Sequence, residues 1–495
     1  MPNRAVKRIL SLILSAVLTF PWLPVSCAET LADHAWWQDT IVYQVYPMSF
    51  QDTDGNGYGD LRGVDMHLDH FASLGVGAVW LTPVFVSPMV DNGYDVADYT
   101  NIDPLYGTMA DMEQLIANAD AQGIRIVMDL VVNHTSDCHP WFTESASGRN
   151  NPKSDWYIWR DPKPDGSAPN NWRAIFGGSA WTWCEARGQY YLHTFAVQQP
   201  DLNWENPEVR QAIINAANFW LDKGVGGFRV DAVPYIKKPA NFADGEPDGE
   251  DGMVSIHTMT ANTAGILDFL REFRESTIAG HNVFTVGEAN GVQASELGAW
   301  VGENGVFDMI FEFSHVDVGN GTAHTWCDPA PWTLTDLKRA FTASQEATRE
   351  NGWYPVFLEN HDQPRSINHY LPDASDGVMA AKLLATLLLT MRGTPFIYQG
   401  QELGYTNTAW DDLSLYNDLN THAQYDFSIR EGFSPEEAME GVHRLSRDNA
   451  RTPMQWDGGM NASFTAGTPW LPVHSDFDTV NALAESGDPG SVLSW

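Results

Sequence analysis

Apolar residues in this chain cluster in short runs at 40–47, 77–82, 124–131, 227–231, 283–288, 307–311, 354–359 and 394–399. Runs that are apolar on both faces read as strands buried between two layers. Between most of them lie amphipathic stretches of helical period, at 109–122, 207–223, 264–279, 333–350 and 377–391. Strands alternating with helices predict a parallel sheet, and eight of them predict an α/β fold closed as a (β/α)8 TIM barrel, with its chemistry at the carboxyl ends of the strands. The period breaks twice. Residues 136–205, rich in Trp, Pro, Asn and Gly, read as a lobe inserted after the third strand, and 400–464 as a smaller insertion after the eighth. The expected division is therefore barrel over 29–135, inserted domain over 136–205, barrel again over 206–399, the second insertion, and the start of the last barrel helix over 465–495.

The polar residues gain meaning from where they fall on these strands. Arg229 and Asp231 end the fourth run and, two apart, point to one face. A guanidinium beside a carboxylate favours its ionised form, so Asp231 is the candidate nucleophile. Asn133 and His134 follow the third run, Glu288 ends the fifth, and His361 and Asp362 follow the seventh. Singly, each fits a cap or a satisfied polar group. Three carboxylates and two histidines on one rim are costly to bury unless chemistry needs them.

Composition narrows the partners. Sixty-four acidic against 28 basic residues give a formal charge of −36, which repels nucleic-acid phosphates and anionic lipid. Twenty Trp and 16 Tyr suit a cleft for a polar ligand with flat apolar faces, such as a sugar ring. The amino terminus carries Arg4, Lys7 and Arg8, an apolar run interrupted by Pro21 and Pro24, and then Ser26-Cys27-Ala28. That is the layout of a cleaved signal peptide over 1–28, which predicts export, with no stable membrane span after cleavage and Cys27 as an alternative lipid acceptor. Beyond it Cys138, Cys184 and Cys327 allow at most one disulfide, with Cys138 and Cys184 a candidate pair. Residues 52–60 place oxygens at Asp52, Asp54, Asn56 and Asp60 between glycines, the spacing of a calcium loop, although Gly63 stands where an EF-hand has Glu.

Four stretches together, Asp129-Leu-Val-Val-Asn-His134, Gly227-Phe-Arg-Val-Asp231, Gly287-Glu288 and Glu359-Asn-His-Asp362, resemble the signature regions of the α-amylase family of retaining glycoside hydrolases. Gln199-Pro-Asp-Leu-Asn203 resembles a fifth region in its α-glucosidase and oligo-1,6-glucosidase branch. The resemblance implies Asp231 as nucleophile, Glu288 as general acid and base, and Asp362 as the carboxylate gripping the sugar's 2- and 3-hydroxyls, supported by His134, His361 and Arg229. It implies that Asp91 pairs with Arg451 to close the pocket, that Tyr94 and Phe195 meet the glucose ring, and that the structural calcium site takes Asp52, Asp54, Asn56, the Tyr58 carbonyl and Asp60. No organic cofactor is implied. Ala232, beside the nucleophile, is smaller than the Val of α-1,6 enzymes, so the expected activity is exo-hydrolysis of α-1,4-linked glucose from maltose and short malto-oligosaccharides. The alternatives are an oligo-1,6-glucosidase, a trehalose synthase or sucrose isomerase, although the Arg-Leu-Asp-Arg-Asp stretch of isomerases is lacking, and a non-catalytic transporter heavy chain. The resemblance also implies an antiparallel β domain after the barrel that the pattern lacks, so exposed apolar barrel surface and reduced stability are expected. Oligomeric state stays open.

Overall fold

The computed structural model describes residues 35–302, 304–320 and 325–495. The expected leader over 1–28, with Cys27, lies outside the described residues. Among the described residues no helix is long and apolar enough to cross a membrane.

Eight parallel strands form the expected barrel: β1 Ile41–Val45, β2 Val76–Leu81, β3 Arg125–Val131, β4 Gly227–Asp231, β5 Phe284–Glu288, β6 Met309–Phe311, β7 Pro355–Val356 and β8 Thr394–Tyr398. Their order is β6-β5-β4-β3-β2-β1-β8-β7, and β6 and β7 abut without a ladder. β7 is shorter than the apolar run predicts, because Pro355 has no N–H to give and the chain leaves the sheet after Val356. Register sets the site. Arg229 lies opposite Asp129 of β3, and Glu288 opposite Phe311 of β6.

The outer helices lie close to the amphipathic stretches, at Met109–Ala121, Pro207–Asp222, Ile266–Thr277, Leu334–Ala347 and Gly377–Thr390. Local chemistry fixes their starts. Thr108 and Asp111 make a capping box, and Asn206 caps a helix whose first residue is Pro207.

The inserted lobe holds a three-stranded antiparallel sheet of Trp159–Arg160, Gln189–Leu192 and Trp181–Cys184. It has a small core of its own around Trp172, Trp181 and Leu192. The stretch after β4 joins it. Val254–Ser255 pairs in parallel with Trp172–Arg173, and Arg173 bonds Asp248 and Asp251 at 2.9 and 2.6 Å.

Two expectations fail here. Cys138, Cys184 and Cys327 are all free thiols; Cys184 Sγ faces the Ala146 carbonyl at 3.7 Å, and Cys138 is exposed. Residues 465–495 are mostly irregular and contain one short helix, Ala482–Ser486. Their backbone is instead tied to the acidic loop, with the Trp470 N–H donating to the Gly57 carbonyl and the Thr465 hydroxyl to Asp52.

Candidate active site

One guanidinium organises the rim. Arg229, 2% exposed, donates from Nη1 to Asp129 at 2.8 Å and to Asp231 at 2.6 Å, and from Nη2 to Glu288 at 2.7 Å. Its planar fork spaces the β4 carboxylate and the β5 carboxylate at the same height. Just past Asp231 the chain turns sharply. Ala232 adopts φ 49°, in the left-handed region, which aims its N–H at Glu288 at 3.1 Å.

The electrostatics depart from the expectation that Arg229 simply keeps Asp231 ionised. Burial raises the Asp231 pKa well above the carboxylate range, and Glu288 and Asp129 raise it further, against the pull of Arg229. Three carboxyls around one cation leave excess negative charge, so this corner of the pocket tends to keep a proton.

Asp362 faces the opposite environment. Burial would raise it, but the guanidinium groups of Arg447, Arg451 and Arg229 hold it far below the ordinary range. Burial lowers the His361 pKa to about 3, so the ring is neutral. Its Nδ1 meets the Gln44 amide at 2.7 Å, and its Nε2 lies 2.5 Å from the Tyr94 hydroxyl, which in turn donates to Asp129 at 2.9 Å. With the Gln44 amide N donating, Nδ1 accepts and the proton sits on Nε2. Tyr94 also stacks on His361, with centroids 5.4 Å apart.

The wall differs from the expectation at one residue. Arg447, not Arg451, closes the pocket with Asp91: its Nη2 bonds Asp91 at 2.9 Å, while the same side chain reaches Asp418 and Asp362. Arg451 sits behind, 1% exposed, bonding the His361 carbonyl and Asp362 at 2.9 and 2.7 Å. The two arginines are four residues apart, so a helical turn stacks them on one face with only the first reaching the cavity.

The pocket, about 560 Å³, is lined by Asp91, Tyr94, His134, Phe195, Asp231, Ala232, Glu288, Asp362 and Arg447. Arg229, His361 and Arg451 hold these from behind. Phe195 packs against His134 with centroids 5.2 Å apart, and Gln199 donates to Asp91 at 3.1 Å. Behind them a buried ion pair, Lys238 to Asp201 at 2.7 Å, fastens the lobe to the barrel, and Asn133 bonds both partners. Asp129, Arg447, Gln199 and Lys238 were not singled out from sequence. Asp129 and Gln199 stand inside the quoted signatures, and Arg447 was detectable as the helical partner of Arg451.

The acidic loop gathers oxygens away from the pocket. Ligand atoms of Asp52, Asp54 and Asp60 lie within 4.8 Å of one another. Burial would raise Asp52, but the Thr465 hydroxyl and the N–H groups of Gly57, Gly55 and Asp54 hold it below its ordinary value. Asn56 Oδ1 accepts from Tyr58 N, which tightens the turn. A charged, all-oxygen donor set fits a hard cation such as calcium.

A strand-end carboxylate pair on one arginine, in a pocket closed on one side, defines a glycoside hydrolase on a (β/α)8 barrel. Residues 44–495 match the family "Alpha amylase, catalytic domain". The chain is 45% identical to the oligo-1,6-glucosidase of Parageobacillus thermoglucosidasius over 94% of its own length and 82% of that protein. It is 42% identical to the α-glucosidase of Pediococcus pentosaceus, over 92% and 82%. The crystal structure of Bacillus licheniformis trehalose-6-phosphate hydrolase superposes with a TM-score of 0.85 at 41% identity, over 93% and 82%. The chain belongs to the α-amylase family of glycoside hydrolases.

Proposed function

We propose that the protein is an exo-acting, retaining α-glucosidase that prefers α-1,6-linked gluco-oligosaccharides. The carrying observation is the Asp91–Arg447 ion pair on the wall of the pocket that also holds Asp231 and Glu288, which we read as the barrier beyond a single terminal glucose. Similarity to oligo-1,6-glucosidases supports the linkage and displaces the α-1,4 expectation drawn from Ala232. Ala232 lines the pocket beside the nucleophile and gives its N–H to Glu288, and a single methyl there is a weaker guide to linkage than the similarity to these relatives.

Asp231 attacks the anomeric carbon as Glu288 protonates the departing oxygen, giving a covalent glucosyl-enzyme. Glu288 then takes a proton from the incoming water, which releases glucose with its configuration kept. The proton retained near Asp231 and Glu288 must sit on Glu288 when the glycosidic oxygen arrives beside it. Asp362, held ionised by its cationic neighbours, accepts from sugar hydroxyls as the ring flattens. Asp52, Asp54, Asn56, the Tyr58 carbonyl and Asp60 hold a calcium ion of structural role. Chelation is expected to lower the melting temperature while kcat of the surviving enzyme stays unchanged, and an unchanged melting temperature would refute the site. The basic and apolar leader directs the enzyme to export.

Glucose release from isomaltose and maltose tests the reading. Higher kcat/KM on isomaltose is expected, and equal or higher kcat/KM on maltose would overturn the linkage.

A further inference from the structure

A column of rings joins the acidic loop to the side of the pocket that holds Asp362. The loop carries Tyr58, whose ring stacks on Trp470 with centroids 6.3 Å apart. Trp470 also stacks on Tyr46, again at 6.3 Å. Tyr46, 1% exposed, meets both supports of Asp362: its centroid lies 6.1 Å from that of His361, and the Arg451 guanidinium stands 5.3 Å over its ring. The Tyr46 hydroxyl has no hydrogen-bond partner among the described residues, so the packing of its neighbours sets the ring.

Hydrogen bonds run beside the column. Trp470 Nε1 donates to Ser49 Oγ at 3.0 Å, and the Ser49 hydroxyl donates to the Arg451 carbonyl at 2.5 Å. Gly59 N donates to the Met48 carbonyl and Met454 N to the Ser49 carbonyl, both at 2.8 Å, so 46–60 and 451–470 are laced together. The fit is close. Gly57 has φ 95°, and a Cβ there would lie 2.1 Å from the Thr468 carbonyl oxygen. The segment leading to Trp470 is strained, because Asn461, Ala462 and Ser463 all take left-handed φ, at 53°, 56° and 57°. Such conformations persist only where the surroundings hold them. Here the acidic loop does so through Asp52, whose N–H donates to the Phe464 carbonyl and whose carboxylate accepts from the Thr465 hydroxyl.

We infer that calcium binding and sugar binding are coupled through Trp470, a positioning residue between the acidic loop and the two supports of Asp362. The inference rests on the proposed calcium site. An ion that orders Asp52, Asp54 and Asp60 also orders the strained segment, Trp470 and Tyr46. A sugar whose hydroxyls bond Asp362 orders Arg451 and His361 from the other end. Each ligand then meets an ordering cost that the other has already met, so each tightens the other by the same factor. None of these contacts involves Asp231 or Glu288, so the coupling acts on affinity and leaves kcat unchanged.

The test titrates calcium calorimetrically into the chelator-stripped full chain, with and without saturating 1-deoxynojirimycin, a ring amine carrying hydroxyls like those of glucose. In the wild type the inhibitor should lower the calcium Kd about 5-fold, and calcium should lower the inhibitor Kd by the same factor. Trp470→Ala should still bind calcium, with that ratio reduced to within about 2-fold of unity, and Trp470→Phe should keep most of it. Tyr58→Leu keeps the carbonyl and removes the ring, so it should behave as Trp470→Ala does, and it replaces that variant if the lost indole prevents folding. An unchanged calcium Kd in the wild type, or a full ratio in Tyr58→Leu, overturns the coupling and leaves the calcium site standing. Absence of calcium binding overturns the site, and the coupling falls with it.

Discussion

Two parts of the pocket are built in different ways. The reacting side, Arg229, Asp231 and Glu288, sits on adjacent strands whose register fixes every position, and Arg229 and Asp231 are only two residues apart. The enclosing side joins distant segments: Asp91 and Arg447 are 356 residues apart, and Asp201 of the lobe meets Lys238 beyond β4. The first is held by a sheet that cannot slip without turning its side chains over. The second is held by buried ion pairs, which are costly to break because each leaves a charge without its partner. Chemistry is thereby separated from fit, so loops can change what enters without moving the carboxylates.

Substitutions should respect that division. The largest effect belongs to the strands: Asp231→Asn should lower kcat at least about 10⁴-fold, with folding intact by circular dichroism. Next comes the wall. Arg447→Leu leaves Asp91 and Asp418 without their cation, and should cost about 3–5 kcal/mol in denaturant unfolding with a rise in KM, whereas Arg451→Leu should leave the Asp91 contact in place. Lys238→Met should destabilise by about 3 kcal/mol, and adding Asp201→Asn should recover part of that. A Lys238→Met enzyme as inactive as Asp231→Asn would break the separation.

The smallest effect lies in the lobe. His139 Nδ1 accepts from Trp141 N at the start of the helix Pro140–Ala146, and burial lowers its pKa to about 4. Because the folded pKa lies below the unfolded value of about 6.5, the unfolded chain takes up the proton first, and stability drops as pH falls from 6.5 towards 4. His139→Asn keeps a capping acceptor that cannot charge. Relative to wild type it should flatten this acid-side loss by up to about 1.4 kcal/mol per pH unit, measured as unfolding free energy against pH.

The same division governs what the sequence reveals. The barrel and its candidate reacting residues were legible because a buried strand is a run of apolar residues, and several polar residues gathered at the ends of such runs are costly to bury without a use. Asp231, Glu288 and Asp362 stand where that argument puts them. The wall was only half legible: Asp91 does line the pocket, but Arg451 was given a bond that Arg447 makes, since the choice depends on how one short helix is rotated. The 236–264 stretch reads as barrel because the strand it forms with the lobe is only Val254–Ser255, and two residues carry no period. The proton affinity of Asp231 was missed for a similar reason. It depends on Asp129 and Glu288 facing the same guanidinium, which no single motif contains.

The central claim is that Asp231 and Glu288 act as the nucleophile and the acid of a double displacement. Proton NMR of the first glucose released from p-nitrophenyl α-glucopyranoside, whose leaving group is not itself a sugar, tests it most directly. The account predicts α-glucose, appearing before mutarotation produces the β anomer. β-Glucose as the first product would mean that water attacks directly, and would contradict a covalent role for Asp231.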